Sequence, residues 1–506
     1  MMQTIKKQWP QKLGYLPVVF LIFTTLWLHL VNLGYSDYQG DEISALPLQG
    51  SNQNLIDFLL TQKKGPVQFL VTQLVKFVDP GFSNRFLARL PFALAGILAI
   101  YFFYKLVDLH FGKKVALYAA LFLSANGLIV GLTRIVQYQG FVMLFSVAAL
   151  YALSLAVSKE QWRIKGLYIG MLLWALALLS HYDGIFIAPF AAILLYRWYS
   201  TNPEIPHETR RKHLIISSIV AILLLVVFYI PLLFSLSDQA KLYFSSRLIA
   251  NDINTSLVSS VTTFRIYNPL IVFYIYLVLG NLSLFKFREA YPVLAWFLFP
   301  YQVLDILIYE PGTHIYTYII PATILLGLGL AALEGWMVKI LGRVGEVVNF
   351  GGLVLLFAFI TSLSHFIFVD HTPEYPWENR GYLAWMIQLP QVRTTDLWLF
   401  GFPYYRHWDE VAAYVKSNSD IKAYATNEKM SISDFHISLA YDPNKAGYYI
   451  YVHNAQSFKD TIANDKVRYW TKNYPPDKVF KNDGRVVVEI YKMPPGDVNE
   501  IKAEGY

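Results

Sequence analysis

Two neighbouring acids, Asp41 and Glu42, stand in the stretch YSDYQGDEISALPLQ. Adjacent carboxylates of this kind suit general-base work, because burial and a partner charge can tune one of them to the proton it must take. The same pattern also fits a solvated turn, or a short helix running to Leu46 and capped by Asp41. Cations and further polar groups follow in chain order. Lys63 and Lys64 precede Gly65–Pro66, Arg85 and Arg89 lie in NRFLARLPFALAG, and Arg134, Gln137 and Tyr138 share GLTRIVQYQGF. His181, Tyr182 and Asp183 form the turn SHYDGIF, Asp305 sits in the apolar run YQVLDILIYEPG, and His314 opens HIYTYIIPATILL. A charge inside an apolar run is costly and tends to mark function, which singles out Asp305. Arginines at a membrane border, Arg85 and Arg89 among them, also snorkel to headgroups. His181 and Asp183, together with Asp41 and Glu42, leave a divalent metal open, although their spacing matches no ligand motif. With no cysteine in 506 residues, disulfides, thiolate metal sites and a thiol nucleophile are excluded.

The elements that must position these groups are mostly apolar. The chain is 55% hydrophobic and 15% charged, with a mean hydropathy of +0.38. An ordinary soluble chain is about 25% charged, so a plain soluble enzyme and a disordered chain are both excluded. Long apolar runs recur at 13–33, 87–106, 114–132, 139–157, 166–180, 184–199, 214–236, 268–285, 291–309, 315–335 and 348–369. A crossing helix needs about 20 such residues, so these predict about 11 spans. With the N-terminus (Lys6, Lys7, Lys12) inside, every short inner gap is basic: Lys113–Lys114, Lys159/Arg163/Lys165, Arg210–Arg211–Lys212, Lys286/Arg288 and Lys339/Arg343. That bias fixes the orientation and leaves the long loop 34–86 and residues 370–506 outside. Residues 370–506 carry 18 acidic and 16 basic side chains, net −2, against a total of +7. The remaining +9 is thus a membrane-topology signal, and nucleic acid is not needed to explain it.

The tail reads as a small water-exposed α/β domain. Helices are expected at 408–417 and 456–463, and strands at 421–426, 447–452 and 485–491. The domain boundaries are accordingly 1–369, a transmembrane domain whose outer loop 34–86 carries the acidic pair, and 370–506, an extracytoplasmic domain.

The ordered set of motifs resembles a family. An acidic pair follows the first span, a lysine–proline element precedes a helix, and R-x-P-x-A-L-A-G opens the next span. An R-x-x-x-Y element follows the third span, and H-Y-x-G the fifth. The order is similar to that of the GT-C integral-membrane glycosyltransferases of the protein-O-mannosyltransferase and aminoarabinose-transferase type, over roughly residues 1–335. The resemblance implies a polyprenyl-phosphate sugar donor and inversion at the anomeric carbon, with Asp41 as base and Glu42 as its companion. It implies donor-phosphate contacts from Lys64, Arg134 and Tyr138; Arg89 is a further candidate for that role, and His181, Tyr182, Asp183, Asp305 and His314 are candidates for lining a substrate cavity. A leaving phosphate needs its developing charge stabilised by fixed cations, and the acceptor hydroxyl needs a base. This chain departs from the family at Lys64, reading K-G-P-V where K-P-P-L is expected, and has Thr133 where serine is usual.

The expected activity is transfer of a sugar from the lipid-linked donor to a hydroxyl of a glycan, lipid or protein acceptor, at the outer face of a plasma membrane. The expected partners are donor, acceptor and membrane lipids, with no nucleic acid and no cofactor beyond the open question of a divalent metal. The competing classes are a secondary transporter, which would show an internal repeat and broken mid-bilayer spans, and an oligosaccharide ligase or non-catalytic scaffold.

Overall fold

The computed structural model describes residues 16–47, 54–62, 64–201, 204–238, 241–242, 253–308, 311–372, 374, 400–417, 421–445, 447–456, 464–494 and 498–503. Lys6, Lys7, Lys12, Lys63, Arg247, Glu310 and most of the expected 456–463 helix lie outside the described residues.

Each apolar run forms helix. Among the described residues, seven helices are long and apolar enough to cross a membrane: Arg85–Phe111, Gln139–Ser158, Glu160–Ser180, His207–Ser235, Leu270–Leu307, Gly312–Leu341 and Arg343–Phe368. An eighth is the pair Lys113–Ser124 and Gly127–Thr133, bent by 64°. The bend has a local cause, since the Asn126 side chain accepts the N–H groups of Leu128 and Ile129 and starts a new helix. The expected count of eleven differs from this for three further reasons. Leu16–Leu30 and Ala188–Ser200 are only 15 and 13 residues long, and the runs at 268–285 and 291–309 join into Leu270–Leu307, broken by a 3₁₀ turn at Ser283–Lys286.

Gly312–Leu341 is the most buried of these segments and packs against Lys113–Ser124, Leu270–Leu282, Phe287–Gln302 and Arg343–Phe368. Around it sits a core that includes Leu28, Phe103, Leu150, Trp198, Trp296 and Ile324. The outer helices are apolar on their free faces: His207–Ser235 exposes Ile222, Leu223, Val227 and Phe234. Such a surface is sustainable in lipid and not in water, so the chain is a multi-pass membrane protein.

Beyond the last of these helices the chain builds a five-stranded sheet in the order β2-β1-β3-β5-β4, with β1 Ala423–Thr426, β2 Ala440–Tyr441, β3 Tyr448–Val452, β4 Lys478–Asn482 and β5 Arg485–Lys492. β1 is parallel to β2 and β3, and β5 is antiparallel to β3 and β4. The expected helix at 408–417 is Trp408–Lys416, and the three expected strands are β1, β3 and β5. Asp483 and Gly484 both take positive φ between β4 and β5, as a two-residue hairpin requires. The sheet-bearing segment rests on the loop after the first helix. Asp37 N–H donates to Tyr404 O at 2.9 Å, and Tyr404 N–H to Ser36 Oγ at 3.0 Å.

Candidate active site

The helix that carries the acidic pair is a single turn, Gly40–Ile43, and its cap is Gln39 rather than Asp41. Gln39 Oε1 accepts the Asp41 N–H at 2.8 Å, while Glu42 Oε2 accepts the Gln39 N–H at 2.9 Å. This capping box satisfies the turn's donors and releases the Asp41 carboxylate from any capping duty. Asp41 remains 32% exposed, with Lys429 Nζ 3.7 Å from its Oδ1. The lysine arrives from the sheet-bearing segment because position 40 is glycine. A Cβ there would meet Lys429 Nζ and Ser431 Oγ at 2.8 Å each.

Glu42 is placed quite differently. Its side chain is fully buried and accepts four bonds: from Arg89 Nε and Nη2 at 2.8 Å each, from Gln39 N–H, and from Val136 N–H at 2.9 Å. Arg89 is equally committed. Besides those two bonds, its Nη1 donates to Leu33 O and Ser36 O and its Nη2 to Asp37 O. All five guanidinium N–H groups are therefore used, and none is left for a phosphate. The pair is a buried bidentate clamp that ties the Asp41 turn to the helix Arg85–Phe111 and to the 133–138 loop.

Arg134, just past Gly127–Thr133, donates from Nη1 to Leu28 O at 2.8 Å, in the last turn of Leu16–Leu30. Burial, with the Arg89 charge beside it, pushes it down to about 9. It lines a small polar cavity with Asn32, Asp37, Gln39, Glu42 and Arg89, underneath the Asp41 turn and grouped with the clamp.

Lys64 does not line that cavity. Its Nζ donates to Gln137 Oε1 at 3.0 Å and stands 5.2 Å from the centre of the Tyr138 ring. Burial holds its ammonium below the usual lysine range, with Asp41 opposing that shift and Lys429 adding to it. The departure from K-P-P-L is explained here, because a Cβ on residue 65 would sit 1.9 Å from Leu179 O. Glycine lets the Lys64 backbone press against the end of Glu160–Ser180.

That contact brings Lys64 to the His181 turn. Tyr138 stacks on His181 with ring centres 3.8 Å apart and planes at 9°. Asp183 is buried, with His181 Nδ1 3.1 Å from Oδ1, His314 Nδ1 2.8 Å from Oδ2, and the Tyr316 hydroxyl donating to Oδ2 at 3.0 Å. Against the effect of burial, the two imidazoles hold the Asp183 carboxyl well below the usual carboxylate range. Burial lowers His181 to about 4. Tyr182 is partly exposed beside both histidines. Asp41, Lys64, Gln137, Tyr138, His181, Asp183 and His314 thus converge from loops that the topology reading puts on one side.

Asp305 does not join them. It stands beside Ser260 and Tyr318, which line a separate cavity of about 770 Å³ walled by Phe264, Phe273, Tyr276, Phe297 and Leu326. Arg85, for which snorkelling to headgroups is one of two readings of the sequence, is paired with Asp37 and Asp409 at 2.8 Å each, and so ties the sheet-bearing segment to the first loop. Lys429 was missed by sequence reading. Nothing in NEKMSISDF marks it, and its role depends on a docking that only the fold reveals.

Residues 63–232 match the family described as dolichyl-phosphate-mannose-protein mannosyltransferase. Comparison with curated proteins gives no match. Among solved structures, ArnT from Cupriavidus metallidurans, in its complex with undecaprenyl phosphate and in the apo state, aligns with a TM-score of 0.52 at 13% identity, over 95% of this chain and 98% of that one. The archaeal oligosaccharyltransferase AglB from Archaeoglobus fulgidus, in complex with an inhibitory peptide and a dolichol-phosphate, gives 0.44 at 12% identity over 88% and 70%. At 13% identity the likeness to ArnT is one of fold.

Proposed function

We infer that this chain is a membrane glycosyltransferase of the GT-C type, a reading supported by the partial family match and the ArnT-like fold, and that it moves a sugar from a polyprenyl-phosphate donor to an acceptor hydroxyl at the outer membrane face, with inversion. The carrying observation is the arrangement at Asp41. A partly exposed carboxylate, free of capping bonds, is held on a rigid turn and flanked by two lysines that come from different parts of the chain.

Asp41 is the base for the acceptor hydroxyl. Lys64, oriented by Gln137 and Tyr138, meets the leaving phosphate and stabilises the charge that develops on it. Glu42, Arg89 and Arg134 position the turn. A single base and a leaving phosphate suffice for inversion, since no covalent intermediate is needed. Lys429 makes the tail part of the site, which supports reading 1–369 and 370–506 as a catalytic membrane domain and an outer domain that completes it. The cavity by Asp305, walled mostly by apolar side chains, is of a size to take part of a polyprenyl chain or an acceptor lipid.

Eleven crossings remain the best reading of topology. At about 1.5 Å per residue, a 38-residue helix would rise about 57 Å, nearly twice the roughly 30 Å core, so Leu270–Leu307 is read as two spans meeting at Ser283–Lys286. The site then faces outward, in a plasma membrane, with the basic loops inside. The test is transfer of radiolabelled sugar from a polyprenyl-phosphate donor in vesicles carrying the purified chain. Wild-type protein is expected to consume donor and Asp41→Asn is not; full turnover by Asp41→Asn would overturn the assignment.

A further inference from the structure

The His181 turn carries chemistry that the proposed transfer does not use. One ligand atom from each of His181, Asp183 and His314 lies within 4.8 Å of the others. His181 and Asp183 are buried, and the His314 side chain is 15% exposed, so the cluster is walled by protein yet reachable. Its contacts cannot all be satisfied by protons. His181 Nδ1 lies 3.2 Å from the Asp183 backbone N–H and 3.1 Å from Asp183 Oδ1. A lone pair on that nitrogen serves the N–H but faces a carboxylate oxygen; a proton on it serves the oxygen but faces the N–H. A cation between the imidazole and the carboxylate turns the two facing acceptors into ligands, at the cost of the weak 3.2 Å N–H contact, and the N···O separation suits two ligands of one ion.

We propose that His181, Asp183 and His314 bind a zinc ion. Two imidazoles and one carboxylate are the donor set that zinc takes in sites with three protein ligands, which leave a fourth position to water or substrate. The surroundings supply the outer contacts such sites need. The Tyr316 hydroxyl donates to Asp183 Oδ2 and fixes the carboxylate, while the Tyr138 ring, stacked at 3.8 Å, fixes the plane of His181. Tyr138 also lies under Lys64, so the cluster adjoins the neighbourhood assigned to the donor phosphate. Use of the zinc to hold a phosphate oxygen rests on the transfer reading above, whereas zinc binding itself does not.

The test reads metal and not turnover. Full-length protein in detergent is stripped with chelator, dialysed against Zn²⁺, and its zinc content and melting temperature are measured. Wild-type protein is expected to hold one zinc per chain and to melt higher with zinc than without. His314→Ala, the least buried ligand and so the variant that best survives folding, is expected to lose stoichiometric zinc and its thermal response, with affinity down at least 100-fold. Tyr316→Phe is expected to bind about 10–100-fold more weakly. Asp41→Asn, outside the cluster, should hold zinc like wild type even if it transfers no sugar, which separates this proposal from the assignment of the base. No bound zinc and no thermal shift in wild type, or a His314→Ala variant that binds and responds as wild type does, would overturn it.

Discussion

Replacing Glu42 by glutamine separates positioning from chemistry at the acidic pair. The carboxylate accepts two charge-assisted bonds from Arg89 and two from backbone N–H groups, and it is fully buried. In Glu42→Gln one oxygen becomes an amide NH₂ facing donors, so two of the four bonds are lost and the buried Arg89 charge is left without its counter-ion. Removing one partner of a buried pair costs about 3–5 kcal/mol. At roughly 2–4 °C per kcal/mol for a large domain, the expected fall in melting temperature is roughly 6–20 °C. Transfer should fall with it, since a 1 Å shift of a reacting group can cost about 100-fold. The assay is a thermal melt in detergent beside a transfer assay below the melting range, with Asp41→Asn as the paired variant. Asp41 is partly exposed and its side chain makes no capping bond, so Asp41→Asn should keep the wild-type melt while losing transfer. A Glu42→Gln variant that melts like wild type yet is as inactive as Asp41→Asn would mean that Glu42 takes part in the chemistry.

Lys64→Met should raise the donor KM about 10–150-fold, the equivalent of a charged hydrogen bond worth about 1.5–3 kcal/mol. Lys64 is held low by burial and Lys429, against Asp41. Its ammonium is therefore lost at a lower pH than an ordinary lysine's, and the wild-type donor KM should climb with rising pH before an ordinary lysine would titrate. Lys64→Arg, charged throughout, should flatten that rise; the same climb in both would place the titration elsewhere. Gly65→Ala puts a methyl 1.9 Å from Leu179 O. It should cost about 1–3 kcal/mol of stability and raise the donor KM by moving Lys64, and a silent Gly65→Ala would contradict the close approach. Lys429→Ala removes a partly exposed 3.7 Å ion pair, worth about 0.2–1 kcal/mol. A fall in kcat/KM of about 1.5–5-fold is expected, and none at all would leave the tail outside the site.

The helical runs were legible in the sequence, because hydropathy is a property of single segments. Three strands and the Trp408–Lys416 helix were legible for the same local reason. β4 was not: two of the five residues of KVFKN are lysines, and its pairing with β5 is set by the Asp483–Gly484 turn. Helix breaks at Asn126 and Ser283 hid inside continuous apolar stretches, where a side-chain cap or a 3₁₀ turn leaves no gap in hydropathy. Within the site, motif order brought Asp41, Lys64, Tyr138 and His181 to notice together. It could not tell apart cations with similar surroundings in sequence. Arg89 and Lys64 both follow the acidic pair, yet one spends every donor on the protein and the other keeps its ammonium beside Asp41. Lys429 and the Arg85–Asp409 pair depend on contacts across more than 300 residues, which no local pattern carries.

The most direct measurement of Asp41's role is single-turnover transfer from a radiolabelled polyprenyl-phosphate sugar in vesicles, comparing wild-type protein with Asp41→Asn at matched donor occupancy. With Asp41 as base, Asp41→Asn binds donor as wild type does and transfers about 100–10,000-fold more slowly. Equal transfer rates for the two proteins would contradict it.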